Sequence, residues 1–174
     1  MNLALSHQEV KQEEYAELFP LLLRYLQELD GYQQPGVPRT TPESARLHLR
    51  YLTSAPACRV WWVILGEERI SFIFFRLLPR PPWSEAPVGF IDEFYIAPEH
   101  RRQGYGRAII EQVLACLREQ GATGVRLTVL VRNAPALAFW QAMGFQMVGT
   151  LLGNAYVMER ALEGRSFEER RTEA

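Results

Sequence analysis

Between Val88 and Met143 the chain alternates a strand pattern, a glycine turn, a helix, a second strand and a second helix, an order that admits few topologies. Val88 to Ile96 is dense in β-branched and aromatic residues. Beyond Pro98, Gly106 to Gln120 sets Ile109, Ile110, Val113, Leu114 and Leu117 on one helical face, and Gly121 supplies the stop. Val125, Leu127, Val129 and Val131 then alternate with Arg126, Thr128, Leu130 and Arg132, which reads as a strand with one apolar face. Asn133 and Pro135 open a short helix closed by Gly144. Two strands joined through a helix must pair in parallel, whereas hairpins pair antiparallel.

Hairpins flank this unit on both sides. Arg59 to Leu65 and Arg69 to Leu78, separated by Gly66-Glu67-Glu68, predict one, and Phe145 to Leu151 with Ala155 to Arg160 predict a closing one. The expected fold class is therefore α/β (mixed α+β) around a mixed sheet. Upstream, Glu9 to Leu29 carries Leu18, Leu21, Leu22, Tyr25, Leu26 and Leu29 at helical spacing, with Pro20 expected to kink or restart the helix. Thr41-Pro42-Glu43-Ser44 predicts an N-cap for a helix running to about Leu52. The proline-rich stretch from Pro79 to Pro87 reads as a stiff loop. One domain is expected over residues 1–162, followed by a charged tail at 163–174.

At 174 residues with 48% apolar and 22% charged side chains, the chain can build one core without staples, and a net charge of −1 supplies no global field for nucleic acid or membrane. No apolar run approaches the roughly 20 residues of a membrane span. No export signal opens the sequence and only Cys58 and Cys116 are present, so a reducing cytoplasm is expected. Charge is local: residues 1–38 carry six acids against Lys11 and Arg24, while residues 99–132 carry six arginines against Glu99, Glu111 and Glu119.

The segment that carries chemistry is Arg101-Arg102-Gln103-Gly104-Tyr105-Gly106-Arg107, where a strand hands over to a helix. Its glycines permit a tight turn, and exposed amides at a helix N-terminus suit a phosphate or diphosphate. No Gly-Lys-Ser/Thr follows, and Ile109 stands where a dinucleotide fingerprint needs its third glycine, so neither of those loops is present.

These residues resemble the GCN5-related N-acetyltransferases, whose pyrophosphate loop reads Arg/Gln-x-x-Gly-x-Gly/Ala after a strand. The resemblance runs in register from Asp92-Glu93-Phe94-Tyr95-Ile96-Ala97-Pro98 through Arg101 to Gly106, Asn133, Ala136, Phe139-Trp140 and Gly144-Phe145. It implies a central mixed, mostly antiparallel sheet with one splayed parallel strand pair and helices on both faces. It implies acetyl-CoA as donor, with no metal. The main chain of Phe94, Tyr95 and Ile96 would pair with the pantetheine arm, and the amides of Arg101, Arg102, Gln103, Gly104, Tyr105, Gly106 and Arg107 would hold the diphosphate. Asn133, Ala136, Phe139 and Trp140 would complete the donor site.

Attack by a primary amine needs a base. Asp92 is the first candidate and Glu93 the second; strand alternation sets them on opposite faces unless a bulge intervenes. Many relatives carry a tyrosine where Trp140 stands, and an indole does not release its proton in such chemistry, so either water protonates the thiolate or another tyrosine does, Tyr156 and Tyr105 being the candidates. His7, His48 and His100 lack metal-ligand spacing and read as surface or helix-face residues. Cys116 reads as a small buried residue, and of Trp61 and Trp62 alternation buries only one. The expected activity is acetyl transfer to a small cationic amine, held by the N-terminal helices and the loop Gly31 to Thr41. Alternatives are a protein N-terminus or lysine as acceptor, and a non-catalytic acyl-CoA-binding module. A homodimer is an open expectation; nucleic acid and membrane partners are not expected.

Overall fold

The computed structural model describes residues 4–162; the expected tail at 163–174 lies outside them. Seven strands form one sheet: β1 (Leu5–Glu9), β2 (Arg59–Leu65), β3 (Glu68–Leu78), β4 (Val88–Ile96), β5 (Gly124–Leu130), β6 (Gln146–Leu151) and β7 (Ala155–Ala161). Their order is β1-β2-β3-β4-β5-β7-β6, antiparallel everywhere except at β4 and β5. The helices are α1 (Tyr15–Leu29), α2 (Pro42–Ser54), α3 (Tyr105–Glu119) and α4 (Ala134–Ala142).

Each face of the sheet has its own core. Trp61, Ile73, Phe75 and Ile91 pack against Ile109, Val113 and Leu117 of α3, while Trp62, Phe72, Phe74 and Tyr95 pack against Leu18 and Leu22 of α1 and Leu49 and Leu52 of α2. Because β2 is covered on both sides, Trp61 and Trp62 are both buried, which corrects the expectation that only one would be. The N-terminus differs too: Leu5–Glu9 pairs with β2 as an edge strand whose polar side chains give no alternation to read. Helix α1 runs unbroken through Pro20, which is exposed, so the Ala16 carbonyl it leaves without a donor can turn to water.

Gly89 fixes how closely α3 sits on the sheet. A Cβ there would stand 2.6 Å from Leu117 Cδ1 and 3.1 Å from Val125 Cγ2, both on fully buried residues. Overpacking of this kind typically costs about 1–3 kcal/mol. Gly89→Ala is expected to lose that much stability in chemical denaturation; an unchanged midpoint would mean that α3 can lift freely.

Candidate active site

The turn between β4 and α3 is built from backbone that side chains disfavour. Gly104 has φ +86° and Arg102 φ +64°, and no side chain caps Gly104. The first amides of α3, at Tyr105, Gly106 and Arg107, have no carbonyl one turn earlier to receive them, so they point outward with the helix dipole behind them. Gly106 is required by contact: a Cβ would meet the Phe139 ring at 3.1 Å and Ile96 Cδ1 at 3.3 Å. The Arg101 amide donates to the Pro98 carbonyl, which removes it from the expected set of donors. Its guanidinium holds both carboxylate oxygens of Glu28 on α1, at 2.8 and 2.7 Å, and the Ile96 carbonyl at 2.8 Å. Arg101 thus straps α1 to the turn.

Upstream of this turn the sheet opens. β4 and β5 pair only from Val88 to Phe90 against Gly124 to Arg126, and the rest of each strand runs free of the other. Ala97 donates to the Ile70 carbonyl on β3, and peptide groups alternate sides along a strand, so those of Tyr95 face β3 while those of Phe94 and Ile96 face the gap. Tyr95, expected to pair with a ligand through its main chain, instead gives its carbonyl to Ser71 Oγ. A cleft of about 460 Å³ occupies the opening. Phe94, Tyr95 and Ile96 form its strand wall, Arg101, Arg102, Gly104, Gly106 and Arg107 its turn end, and Asn133, Ala136, Phe139 and Trp140 its α4 side.

Two residues of the turn, expected to contribute main-chain amides, turn their side chains elsewhere: the Gln103 side-chain amide donates to the Glu99 carbonyl, and Tyr105 packs against the α3 core. Asn133 lines the cleft and also caps α4, accepting from the Ala136 amide at 3.2 Å. Trp140 is buried against Phe139, Phe94 and Phe145. Tyr156 sits on the α3 side of the sheet beside Val129, packed against that core and outside the cleft lining.

The carboxylates are arranged by a bulge. Phe74 pairs with Glu93 and Phe75 with Ile91, leaving Asp92 as the extra residue of β4. Ile91 and Phe94 both face α3, so the bulge turns Asp92 and Glu93 together toward α1 and α2, where simple alternation predicts opposite faces. Glu93 accepts from the Tyr25 hydroxyl of α1 at 2.6 Å and lies 2.7 Å from His48 Nε2 of α2. Burial, and then the carboxylate beside it, push the Tyr25 hydroxyl well above its ordinary pKa, so it remains a donor. Tyr25 also lines the cleft, which links Glu93 to the opening. Neither Tyr25 nor His48 carries a local motif; Tyr25 reads as one more apolar position of its helix.

Asp92 pairs with Arg76 at 2.9 Å, and its other oxygen has no partner. Burial raises its pKa to about 6, against the pull of Arg76 and with a push from Glu93. The folded state therefore favours protonated Asp92: its contribution is most stabilising below the ordinary value near 3.8 and is lost as pH rises through 6. A shift of that size corresponds to about 3 kcal/mol at most. Relative to Asp92→Asn, the native protein is expected to lose stability between pH 4 and pH 7; a difference that does not vary with pH would contradict this.

Other sequence candidates take structural roles. Cys58 is half-buried with its thiol pushed up to about 11 by burial, and Cys116 is half-buried too, beside Arg59 and Gln120, where full burial was expected. Five of the six acids of the N-terminal segment are engaged: Glu9 with Arg59, Glu14 and Glu17 with Arg69, Glu28 with Arg101, and Asp30 with Thr40. They supply no free field for a cation. Among the described residues no helix is long and apolar enough to cross a membrane, and no three His, Cys, Asp or Glu residues gather to hold a metal.

The fold as a whole is similar to those of solved acetyltransferases. The fold matches the PaiA N-acetyltransferase of Thermoplasma acidophilum, solved in complex with coenzyme A, with a TM-score of 0.69 and 16% identity over 91% of this chain and 99% of that one. Residues 17–145 match the family described as Acetyltransferase (GNAT) family, and the chain belongs to it. Relatives by sequence include N-acetyltransferase 8 of Homo sapiens, 30% identical over 57% of this chain and 43% of that protein. Streptothricin acetyltransferase of Streptomyces lavendulae is 36% identical over 52% of this chain and 46% of its own length. The chain thus spans under half the length of these two relatives.

Proposed function

We propose that this protein is an acetyl-CoA-dependent N-acetyltransferase that moves the acetyl group directly to the primary amine of a small molecule. The observation that carries the reading is the contact between cleft and carboxylate: Tyr25 lines the opening and its hydroxyl donates to Glu93. The residues at the turn fit a diphosphate-linked thioester. Uncapped amides from Tyr105 to Arg107, with Arg102 and Arg107 at the same end, meet the charge, and Phe94, Ala136 and Phe139 form an apolar wall for the arm.

Bound donor supplies a thioester carbonyl with a readily departing thiolate. The Ile96 amide, facing the gap, stabilises the developing oxyanion. An alkylammonium of pKa about 10.4 must lose a proton before it can attack, and Glu93 takes that proton, directly or through Tyr25 or water. Glu93 is preferred to Asp92 as the base, because Asp92 is tied to Arg76 while Glu93 connects to the cleft wall. Trp140 supplies no acid and Tyr156 packs outside the cleft, so the thiolate, whose conjugate thiol has pKa about 8.5, takes its proton from the attacking nitrogen or water.

A small acceptor is favoured by a bridge across the loop that follows α1. Arg132 donates to the Gln33 carbonyl at 2.9 Å and Asp30 holds the Thr40 amide at 2.8 Å, which ties the loop to the β5–α4 turn and narrows passage for a peptide. Streptothricin acetyltransferase, by its name, acts on a small molecule, which agrees. The Glu93 carboxylate, in place of the engaged N-terminal acids, supplies the attraction for a cationic amine. The free thiols Cys58 and Cys116 suit the reducing cytoplasm expected from sequence.

Release of CoA thiol in the presence of acetyl-CoA and a panel of diamines, amino acids and peptides tests the reading. Small amines are expected to be turned over in preference to peptides. Preference for peptide N-termini or lysines would contradict the pocket argument, and tight CoA binding without turnover would make the chain a binding module.

A further inference from the structure

We propose that His48 is the proton outlet of the site, passing the proton that Glu93 removes from the amine to solvent. The inference rests on the reading above and assigns a role to a residue that sequence reasoning left on the surface. Three observations carry it. Glu93 is bonded from both sides, by the Tyr25 hydroxyl at 2.6 Å on Oε2 and by His48 Nε2 at 2.7 Å on Oε1. The exposure rises along the row: the Glu93 side chain is 13% exposed and that of His48 is 32% exposed. Tyr25 belongs to the cleft wall, whereas His48 does not, so the three residues run from the cleft outward.

The carboxylate is enclosed by Tyr25 on the cleft side and by His48 on the outer side. Other charged and titratable groups around the pair are Asp92 on β4, Arg76 on β3 behind Asp92, Cys58 beyond them, Glu28 on α1 near Tyr25, and Tyr51 on α2 itself, whose ring lies 6.5 Å from His48. Arg76 is already engaged by Asp92 and holds no lone pair to accept a proton. Among the described residues that contact Glu93, the imidazole combines a titratable ring nitrogen on the carboxylate with a face toward water.

The steps balance. The acceptor ammonium gives one proton to the Glu93 carboxylate, and the neutral amine keeps two hydrogens. Its lone pair forms the C–N bond as the C–S bond breaks, and one of those hydrogens goes to the departing sulfur, giving the amide and CoA thiol. Once Glu93 is protonated, the Nδ1–H tautomer of His48 presents its Nε2 lone pair, takes the proton from the carboxylic acid and releases its Nδ1 proton to water, so one proton leaves per turnover. The resulting Nε2–H donates to the restored Glu93 carboxylate, and exchange with solvent resets the tautomer. Tyr25 holds the Glu93 carboxylate and is not consumed. His48 touches neither substrate, and it acts through Glu93 as a positioning and relay residue.

The test is chemical rescue of His48→Ala, with His48→Gln as a second variant that retains a hydrogen-bond donor toward Glu93. Both are checked first for CoA binding equal to the native protein by calorimetry. With acetyl-CoA and 1,4-diaminobutane, kcat is expected to fall about tenfold in each variant while the KM for acetyl-CoA stays unchanged. Added imidazole should restore the His48→Ala rate in proportion to its neutral fraction, and 1,2,4-triazole, similar in shape but a far weaker base, should not. The pH dependence of kcat should differ from that of the native protein in both variants. Native kcat and an unmoved pH profile in both variants, or equal rescue by the two azoles, would overturn the relay and leave the acetyltransferase reading standing. A native protein inactive on every amine would end both.

Discussion

Glu93→Gln is expected to lower kcat by about 10²- to 10³-fold with acetyl-CoA binding unchanged, the size typical of a lost general base. The amide keeps the shape of the side chain and can still accept from Tyr25, so the network around it should persist. What it loses is the capacity to hold a proton from the ammonium. Asp92→Asn is the informative contrast. Its carboxylate is committed to Arg76 and does not contact Tyr25, so its removal should reduce turnover far less. Rates measured at saturating acetyl-CoA across pH separate the two, and a larger kcat loss in Asp92→Asn would reverse the assignment.

The second large effect falls on donor affinity. Gly104→Val places a β-branched residue at φ +86°, where nothing crowds the Cβ position but the conformation itself is strained. Relaxing that strain rotates the turn and misdirects the amides of Tyr105, Gly106 and Arg107. Losing two charge-assisted hydrogen bonds at about 1.5–3 kcal/mol each corresponds to a Kd for CoA weakened by at least roughly 100-fold. Calorimetric titration of the folded variant checks this. An unchanged Kd would show that the diphosphate is held elsewhere.

The turn was legible in the sequence because positive φ and close approach demand glycine, and glycines at fixed offsets can be read. The strand and helix order from Val88 to Met143 was legible for a similar reason, since each segment carries a clear period. β1 was hidden because an edge strand of polar residues has no apolar face to reveal it. The bulge at Asp92 was not legible either: it is set by how β3 and β4 register against two cores, and it decides which way both carboxylates point. Tyr25 and His48 lie 68 and 45 residues from Glu93 along the chain, so only the packing of α1 and α2 on the sheet brings them to it. Arg101 shows the converse, a motif position whose side chain serves to strap α1 in place.

The central claim is that the peptide groups of the β4–α3 turn and the open edge of β4 together receive acetyl-CoA. Titrating isotope-labelled protein with CoA and following each backbone amide by NMR tests it most directly. The largest shifts are expected at residues 104–107, with Phe94 and Ile96 moving next and the amides of β1 and β6 staying still. Saturable shifts centred anywhere else, or none at millimolar CoA, would contradict the account.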